Sequence, residues 1–265
     1  MILQVDDIPI HIERLGSGRQ LLLLHGWGPR SVTLEKHLLP TAHSLKHAGE
    51  ITMMEFPGHG QSGLPTGNWG VREYAELTLK VMDQLAVTQP VLLAHSFGGR
   101  IALYLADKYP QRVSALILTG CAGLKSKKTL SGWLRAKLFQ AGRMGIKALS
   151  LFPGFQATGK RWLASLREAF SSADYLATPE ALRGSFSKVV REDLGPLLPH
   201  IRQKTLLVWG EKDAATPLAM GRRMAKDMPD ARLLVYQADD HFAYRNQPAR
   251  FANAVEAFLE EVDPA

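Results

Sequence analysis

The chain has one cysteine, Cys121, among its 265 residues. An internal disulfide is therefore impossible, which agrees with a reducing compartment. Cys121 follows the apolar residues 113–119, a position typical of a small packing residue rather than of a nucleophile. No apolar run approaches the roughly 20 residues that a membrane-spanning helix needs, so we expect no transmembrane segment.

Signals for export and for cofactor binding are also missing. The first seven residues end in two acids where a secretory signal would carry bases, so we expect a cytoplasmic protein. The nine histidines show no metal-ligand spacing, and the glycines form neither G-x-G-x-x-G nor a phosphate loop. We therefore expect no metal and no cofactor. The basic residues accompany no recognised nucleic-acid-binding module, so we do not expect nucleic acid as a partner.

The excess of basic residues is confined to one part of the chain. The net charge is +7, and residues 121–195 alone hold 13 Lys and Arg against 5 Asp and Glu. The remaining residues therefore carry a net −1. A basic segment of this kind attracts an acidic substrate or an anionic membrane surface, or it is simply the solvated surface of helices. The sequence leaves these alternatives open, and it does not indicate an oligomeric state.

Short apolar runs alternate with helical patterns along most of the chain. This order predicts an α/β protein with a mostly parallel eight-stranded sheet flanked by helices. The first two strands suggest an antiparallel edge. The predicted strands are residues 2–5, 8–14, 21–24, 51–54, 91–93, 113–118, 205–209 and 233–236. The predicted helices are residues 32–48, 71–85, 97–109 and 248–260, with a further helix after Pro217.

The alternation stops in the middle of the chain, where no strand pattern is found. We interpret residues 121–199 as a helical cap inserted between core segments 1–120 and 200–265. The aromatic residues of this segment favour an apolar or aromatic substrate, or they form the cap's own core. They are Trp133, Phe139, Phe152, Phe155, Trp162 and Phe170.

Ser96 lies between the apolar strand 91–93 and a helical pattern, within the sequence Ala-His-Ser-Phe-Gly-Gly. Small residues around a serine at this junction are typical of the nucleophile elbow G-x-S-x-G, with Ala94 in place of the first glycine. The alternative is a Gly-Gly helix start in which Ser96 has no chemical role. A serine nucleophile needs a base, and the base needs a third group that orients it.

Two later strands supply candidates for these partners. Asp213 follows strand 205–209, and His241 follows strand 233–236, so both lie where parallel strands end. Asp213 could instead cap a helix, and His241 could be a histidine of a surface loop. Glu211, Asp239 and Asp240 are competing acids. For the oxyanion of a tetrahedral intermediate, the candidate donors are the backbone N–H groups of Trp27 and Phe97.

These motifs resemble those of the α/β-hydrolase superfamily over nearly the whole chain. The matching pieces are residues 25–28, residues 56–62, the Ser96 elbow, residues 210–213 and residues 240–242. Relatives carry Asp-x-Pro-Gly-x-Gly-x-Ser in the second piece, where this chain has Glu55 in place of the Asp. The resemblance implies Ser96 as nucleophile, Asp213 as acid and His241 as base. Serine at the elbow argues against haloalkane dehalogenases and epoxide hydrolases, which use Asp there.

The expected function is hydrolysis of a small to medium carboxylic ester with an apolar or aromatic group. One alternative is a carbon–carbon bond hydrolase of ring-cleavage products, whose acidic substrates would suit the basic cap. A second alternative is a ligand-sensing protein of this fold with slow turnover. Weak contact of the basic cap with an anionic membrane is a further possibility for Trp133 and the bases at 125–128.

Overall fold

The structure is a computed structural model that describes residues 1–28, 33–125, 130–170 and 173–262. Ser126, Lys127 and Lys128, and the side chains of Trp133 and Phe170, lie outside the described residues. The strands are β1 (Ile2–Val5), β2 (Ile8–Leu15), β3 (Gln20–Leu24), β4 (Glu50–Met54), β5 (Val91–His95), β6 (Ala115–Thr119), β7 (Thr205–Gly210) and β8 (Ala231–Tyr236). The helices are α1 (Leu39–Ser44), α2 (Val71–Gln84), α3 (Phe97–Lys108), α4 (Leu130–Leu149), α5 (Gln156–Phe170), α6 (Ala173–Ala177), α7 (Glu180–Arg191), α8 (Leu218–Asp227), α9 (Ala243–Asn246) and α10 (Pro248–Val262).

The eight strands form one sheet in the order β1-β2-β4-β3-β5-β6-β7-β8. β1 pairs antiparallel with β2, and β2 pairs antiparallel with β4, while every other pairing is parallel. The predicted α/β fold with a mostly parallel eight-stranded sheet and an antiparallel edge is confirmed. Because β3 and β5 to β8 run parallel, the residues that follow them meet at one edge of the sheet.

Helices cover both faces of the sheet, as the almost wholly apolar central strands require. On one face α2, α3 and α8 pack against the sheet, and Trp209 is fully buried there. On the other face α1, α9 and α10 form a second core, in which Phe251 and Phe258 are buried. Both faces of the sheet are therefore covered by apolar side chains, and the polar side chains of a site have to come from the loops at its edge.

The single helix predicted at residues 32–48 is wrong. A wide turn with π-type hydrogen bonds spans Leu34–Leu38, α1 follows it, and the helix ends at Ser44. Pro40 lies in the first turn of α1 and has no N–H, so it interrupts the regular hydrogen-bond pattern. Residue 32 lies outside the described residues.

The chain divides into two compact units, one of Met1–Lys125 with Glu180–Ala265 and the other of Ser126–Pro179. The first unit contains the sheet and α7. The second unit is shorter than the segment 121–199 predicted as an insertion, because α7 and the residues after it belong to the first unit. In the second unit α4 and α5 are antiparallel, since residue 142 lies against Leu166 and residue 159 lies against Ser150.

Within the described ranges, no helix combines the length and the apolar character needed to cross a bilayer.

Candidate active site

Ser96 occupies a sharp turn between β5 and α3. Its backbone has φ +50° and ψ −107°, a combination that L-residues rarely adopt. Gly98 makes this turn possible, because a Cβ there would lie 2.4 Å from the Leu24 carbonyl oxygen of β3. The start of α3 therefore packs directly against the end of β3. The Ser96 side chain is partly exposed and donates no hydrogen bond to a described residue.

Asp213 and His241 come together from the loops after β7 and β8. His241 Nδ1 lies 2.8 Å from Asp213 Oδ2, and the Asp213 side chain is fully shielded from solvent. The His241 ring lies beside His95, the residue before Ser96, with 4.6 Å between ring centroids. Asp213 and His241 are thus hydrogen-bonded next to the Ser96 turn, although Ser96 and His241 form no hydrogen bond with each other here.

The environment of Asp213 fixes the proton on His241. Burial raises the pKa of Asp213, but hydrogen bonds from His241 and Thr216 outweigh it and leave the pKa below its usual value. Asp213 is therefore an ionised acceptor near neutral pH, and His241 Nδ1 must be the donor. This tautomer leaves the lone pair on His241 Nε2, the nitrogen that can accept a proton.

Gly120, which follows β6, leaves room for this pair. Its φ is +47°, and a Cβ there would lie 3.0 Å from His241 Nδ1 and 3.1 Å from Asp213 Oδ2. A side chain at residue 120 would push both groups away. The Asp213–His241 pair from the loops after β7 and β8 thus occupies the space that a side chain at residue 120 would fill.

Thr216 holds the Asp213 carboxylate, and the sequence analysis did not single it out. The Thr216 hydroxyl lies 2.7 Å from Asp213 Oδ2 and 3.0 Å from the Gly120 carbonyl oxygen. The N–H groups of Ala215 and Thr216 donate to Asp213 Oδ1 at 2.9 and 2.8 Å. One carboxylate oxygen therefore closes a local turn while the other meets His241. A threonine three residues after a candidate acid was the available sequence signal.

The competing acids have other partners. Glu211 accepts a hydrogen bond from the Ala238 N–H at 3.1 Å. Asp239 accepts from the side chains of Asn246 and Gln247, and Asp240 accepts from the Phe242 N–H at 2.8 Å. These contacts fix the loop that carries His241, and none of them is to His241.

The loop after β3 is tied to the elbow through its backbone. The Gly98 N–H donates to the His25 carbonyl oxygen at 3.0 Å, and the Phe56 N–H donates to His25 Nε2 at 2.9 Å. The Phe97 N–H has no acceptor among the described residues, as a predicted oxyanion donor requires. Trp27, the other predicted donor, lies on the loop after His25, and its ring is 5.1 Å from that of Phe97.

Glu55 is a buried anchor for two loops. Its carboxylate accepts hydrogen bonds from the N–H groups of Leu34 and Gln61 at 3.0 and 2.6 Å. His11 Nδ1 lies 3.1 Å from the same carboxylate. Glu55 thus joins the segment after the Trp27 loop to the Gly-Pro loop at residues 57–62. The replacement of the family's Asp by Glu retains an acceptor at this position.

Aromatic rings surround Trp27. Its ring centroid is 4.9 Å from that of His59 and 5.4 Å from that of Phe186. Phe186 comes from α7 and was not among the predicted site residues, although the helical spacing of Leu182, Phe186 and Val189 would have indicated a buried face. The candidate site therefore has an apolar wall beside the Trp27 loop.

Three buried histidines near the site are neutral. Burial lowers the pKa of His25 to about 4, and it lowers the pKa values of His59 and His95 well below their usual value. His95 points into the scaffold, where Nδ1 lies 3.0 Å from the Thr119 hydroxyl. Burial also raises the pKa of the Cys121 thiol to about 12, so this thiol is not ionised. Unlike these histidines, His241 is hydrogen-bonded to a carboxylate, and it stays the candidate for the base.

In the part of the chain that the structure describes, no group of three or more His, Cys, Asp or Glu side chains is arranged to hold a metal ion.

Comparison with known proteins gives a consistent family match. The family described as alpha/beta hydrolase fold matches residues 20–248. A 2-hydroxy-6-oxo-6-phenylhexa-2,4-dienoate hydrolase of Burkholderia cepacia is 27% identical over 90% of this chain and 87% of its own. A pimeloyl-[acyl-carrier protein] methyl ester esterase of Nitrosomonas europaea is 26% identical over 94% of this chain and 98% of its own.

A solved structure supports the same fold. A meta-cleavage product hydrolase from Pseudomonas fluorescens IP01 superposes with a TM-score of 0.74 and 21% identity. The match covers 99% of this chain and 98% of the other chain. The two relatives compared by sequence are thus named as a dienoate hydrolase and a methyl ester esterase.

The buried neutral histidines predict a loss of stability in acid. Near pH 6.5 the unfolded chain takes up protons that folded His25, with its pKa near 4, does not. The free energy of unfolding should therefore fall as pH decreases from about 6.5 to 4, by about 3 kcal/mol from His25 alone. Urea unfolding at a series of pH values measures this slope.

His59→Phe should flatten the slope, because His59 contributes to it in the same direction. His59 Nε2 has no hydrogen-bond partner among the described residues. The substitution removes the contact from His59 Nδ1 to the Pro57 carbonyl oxygen, which keeps the Tyr74 hydroxyl as a donor at 3.4 Å. His47→Gln, at an exposed histidine, is the control and should keep the parental slope. An unchanged slope in His59→Phe would show that this interpretation is wrong.

Proposed function

The chain belongs to the α/β-hydrolase family, and from that membership we propose that it is a serine hydrolase that cleaves a carboxylic ester. Ser96 is the proposed nucleophile, His241 the base and Asp213 the residue that orients it. The observation that carries the proposal is the 2.8 Å hydrogen bond between His241 Nδ1 and Asp213 Oδ2 beside the strained Ser96 turn. A fixed tautomer with a free Nε2 is what a serine nucleophile needs from its base.

The proposed reaction proceeds in two steps through an acyl-enzyme. His241 Nε2 takes the Ser96 proton as Oγ attacks the ester carbonyl carbon, and the N–H groups of Trp27 and Phe97 stabilise the oxyanion. His241 then gives its proton to the departing alcohol. Water attacks the acyl-enzyme in the same manner, which releases the carboxylic acid and restores Ser96.

The rings beside Trp27 support an apolar or aromatic substrate. Trp27, Phe97 and Phe186 belong to the same compact unit as Ser96. The ring centroid of Trp27 is 5.1 Å from that of Phe97 and 5.4 Å from that of Phe186. Such rings favour an apolar group by removing its surface from water. We therefore propose a small to medium ester with an apolar or aromatic portion.

A second candidate is hydrolysis of a carbon–carbon bond in a dienoic keto acid. It is favoured by the Burkholderia cepacia relative, which is named as a hydrolase of a 2-hydroxy-6-oxo-dienoate and is aligned over 90% of this chain. The same nucleophile and base would serve, but the leaving group would be a carbanion, which must take up a proton as the carbon–carbon bond breaks.

Ser96→Ala should lower kcat for a p-nitrophenyl ester by a factor on the order of 10⁴ to 10⁶, because the attacking oxygen is removed. Steady-state kinetics and labelling by a fluorophosphonate measure the loss. Ser44→Ala, at an exposed serine of α1, is the matched control and should retain activity and labelling. Undiminished ester turnover by folded Ser96→Ala protein would refute the assignment.

Thr216→Val should lower kcat about three- to tenfold with little change in KM, because Asp213 loses a hydroxyl donor and orients His241 less firmly. Thr216→Ser should restore the rate, which a general packing defect at this position would not allow. Thr88→Val, at an exposed threonine, is the control. A Thr216→Val enzyme with the parental kcat would remove Thr216 from the proposed machinery.

A substrate comparison separates the two candidates. The values of kcat/KM are measured for p-nitrophenyl esters of increasing acyl length and for a 2-hydroxy-6-oxo-dienoate. We expect the esters to be the better substrates. A higher kcat/KM for the dienoate, abolished in Ser96→Ala, would establish the second candidate instead.

A further inference from the structure

The turn between α4 and α5 exposes large apolar side chains. We call residues 151–155 the hairpin tip. Leu151 is 82% exposed, Phe152 is 63% exposed and Phe155 is 47% exposed. Three large apolar side chains within five residues form a concentrated apolar surface, and monomeric proteins rarely expose such a surface without a use for it.

Further large apolar side chains are exposed along α4. Leu134 and Leu138 are four residues apart and exposed, so they lie on one side of the helix. Met144, at 71% exposure, lies closer to the hairpin tip. Residue 142 and Ser150, which follow Leu138 in the same row of the helix, lie against α5. The exposed apolar side chains at 134 and 138 therefore lie next to the row that packs on α5, and they add to the apolar surface of this unit.

Basic side chains accompany this surface, and acids are missing from it. The sequence has no Asp or Glu from residue 108 to residue 167. Arg143 and Lys147 near the end of α4, and Lys160 and Arg161 near the start of α5, are exposed on either side of the hairpin tip. Long basic side chains beside an apolar surface can place their charges at a polar boundary while their methylene groups stay in apolar surroundings.

We propose that the hairpin tip is a membrane-contact site that enters the interfacial region of an anionic bilayer. The apolar side chains would enter the boundary between headgroups and acyl chains, and the flanking bases would meet lipid phosphates and anionic headgroups. A second copy of this chain is a poorer occupant, because it would bring an equally basic and acid-free surface to the contact. The proposal does not depend on which bond the protein hydrolyses.

Vesicle flotation tests the proposal with the full chain. Vesicles of phosphatidylcholine alone are compared with vesicles of phosphatidylcholine and phosphatidylglycerol. We expect binding to the anionic vesicles that weakens as salt is added. The double substitutions Leu151→Ser with Phe152→Ser, and Lys160→Glu with Arg161→Glu, should each lower the partition coefficient about tenfold or more.

Matched control variants distinguish binding through the hairpin tip from nonspecific binding through other exposed apolar or charged side chains. Leu64→Ser with Val190→Ser removes two exposed apolar side chains elsewhere, and Arg222→Glu with Lys226→Glu reverses two exposed charges on α8. Both controls should bind the anionic vesicles like the parent. Thermal unfolding of every variant checks that the fold is intact.

Insertion is measured separately with a fluorophore at the hairpin tip. A Cβ at Gly154 would meet nothing within 4 Å, and the natural Cys121 is buried, so Gly154→Cys offers an accessible thiol for an environment-sensitive dye. The emission should shift to the blue with anionic vesicles and stay unchanged with neutral ones.

Three outcomes would overturn the proposal. The first is no binding to anionic vesicles at low salt. The second is binding that the Leu151→Ser and Phe152→Ser pair leaves unchanged, which would indicate charge attraction without insertion. The third is a change of oligomeric state in that pair, measured by sedimentation, with unchanged vesicle binding, which would make the hairpin tip a self-association surface.

Discussion

The hydrogen bond from His241 Nδ1 to Asp213 Oδ2 joins the loops after β7 and β8, and its neighbours are arranged around it. Gly120 leaves the space that the pair occupies, and the Thr216 hydroxyl contacts the same carboxylate oxygen of Asp213 as His241 Nδ1 does. The donors keep Asp213 ionised in spite of its burial. The proton of His241 is therefore held on one nitrogen and the lone pair on the other, without any contact from a substrate. This preorganisation is what separates a chemically useful histidine from the buried neutral ones nearby.

The second constraint is the close approach of β3 to the elbow. Gly98 allows α3 to begin against the Leu24 carbonyl oxygen, and its N–H bonds to His25. His25 is in turn held by the Phe56 N–H, next to the buried Glu55. The position of the Trp27 loop thus depends on a chain of backbone contacts, and most of its members have no chemical role of their own. The residues at 25–28 and 56–62 that resemble the family's motifs therefore serve to hold the Trp27 loop in position.

The sheet and the loops that carry the site were predictable because their signals are local. An apolar run of four or five residues followed by Ser96, Asp213 or His241 places each side chain at the end of a strand, and parallel strands end together. The roles of Glu55 and Phe186 were not predicted, because they depend on contacts between segments distant in sequence. Thr216 lies only three residues from Asp213, so its role could have been predicted from the local sequence. The regular helix predicted at 32–48 was wrong for a local reason. The apolar spacing fits a helix, but Pro40 has no N–H and interrupts the hydrogen-bond pattern.

The aromatic residues at 121–199 illustrate the limit of composition. Helical spacing shows that one side of α4 or α5 is apolar, but not whether that side meets another helix, a substrate or water. Phe152, Phe155 and Trp162 are exposed, so they do not form the core between the two helices. An exposed apolar side chain that is surrounded by bases, in a stretch without acids, has a different physical meaning from the same side chain in a core. Transfer of such a side chain from water into an apolar phase is favourable, provided that the neighbouring positive charges stay solvated or meet negative charges. An anionic bilayer surface satisfies both conditions.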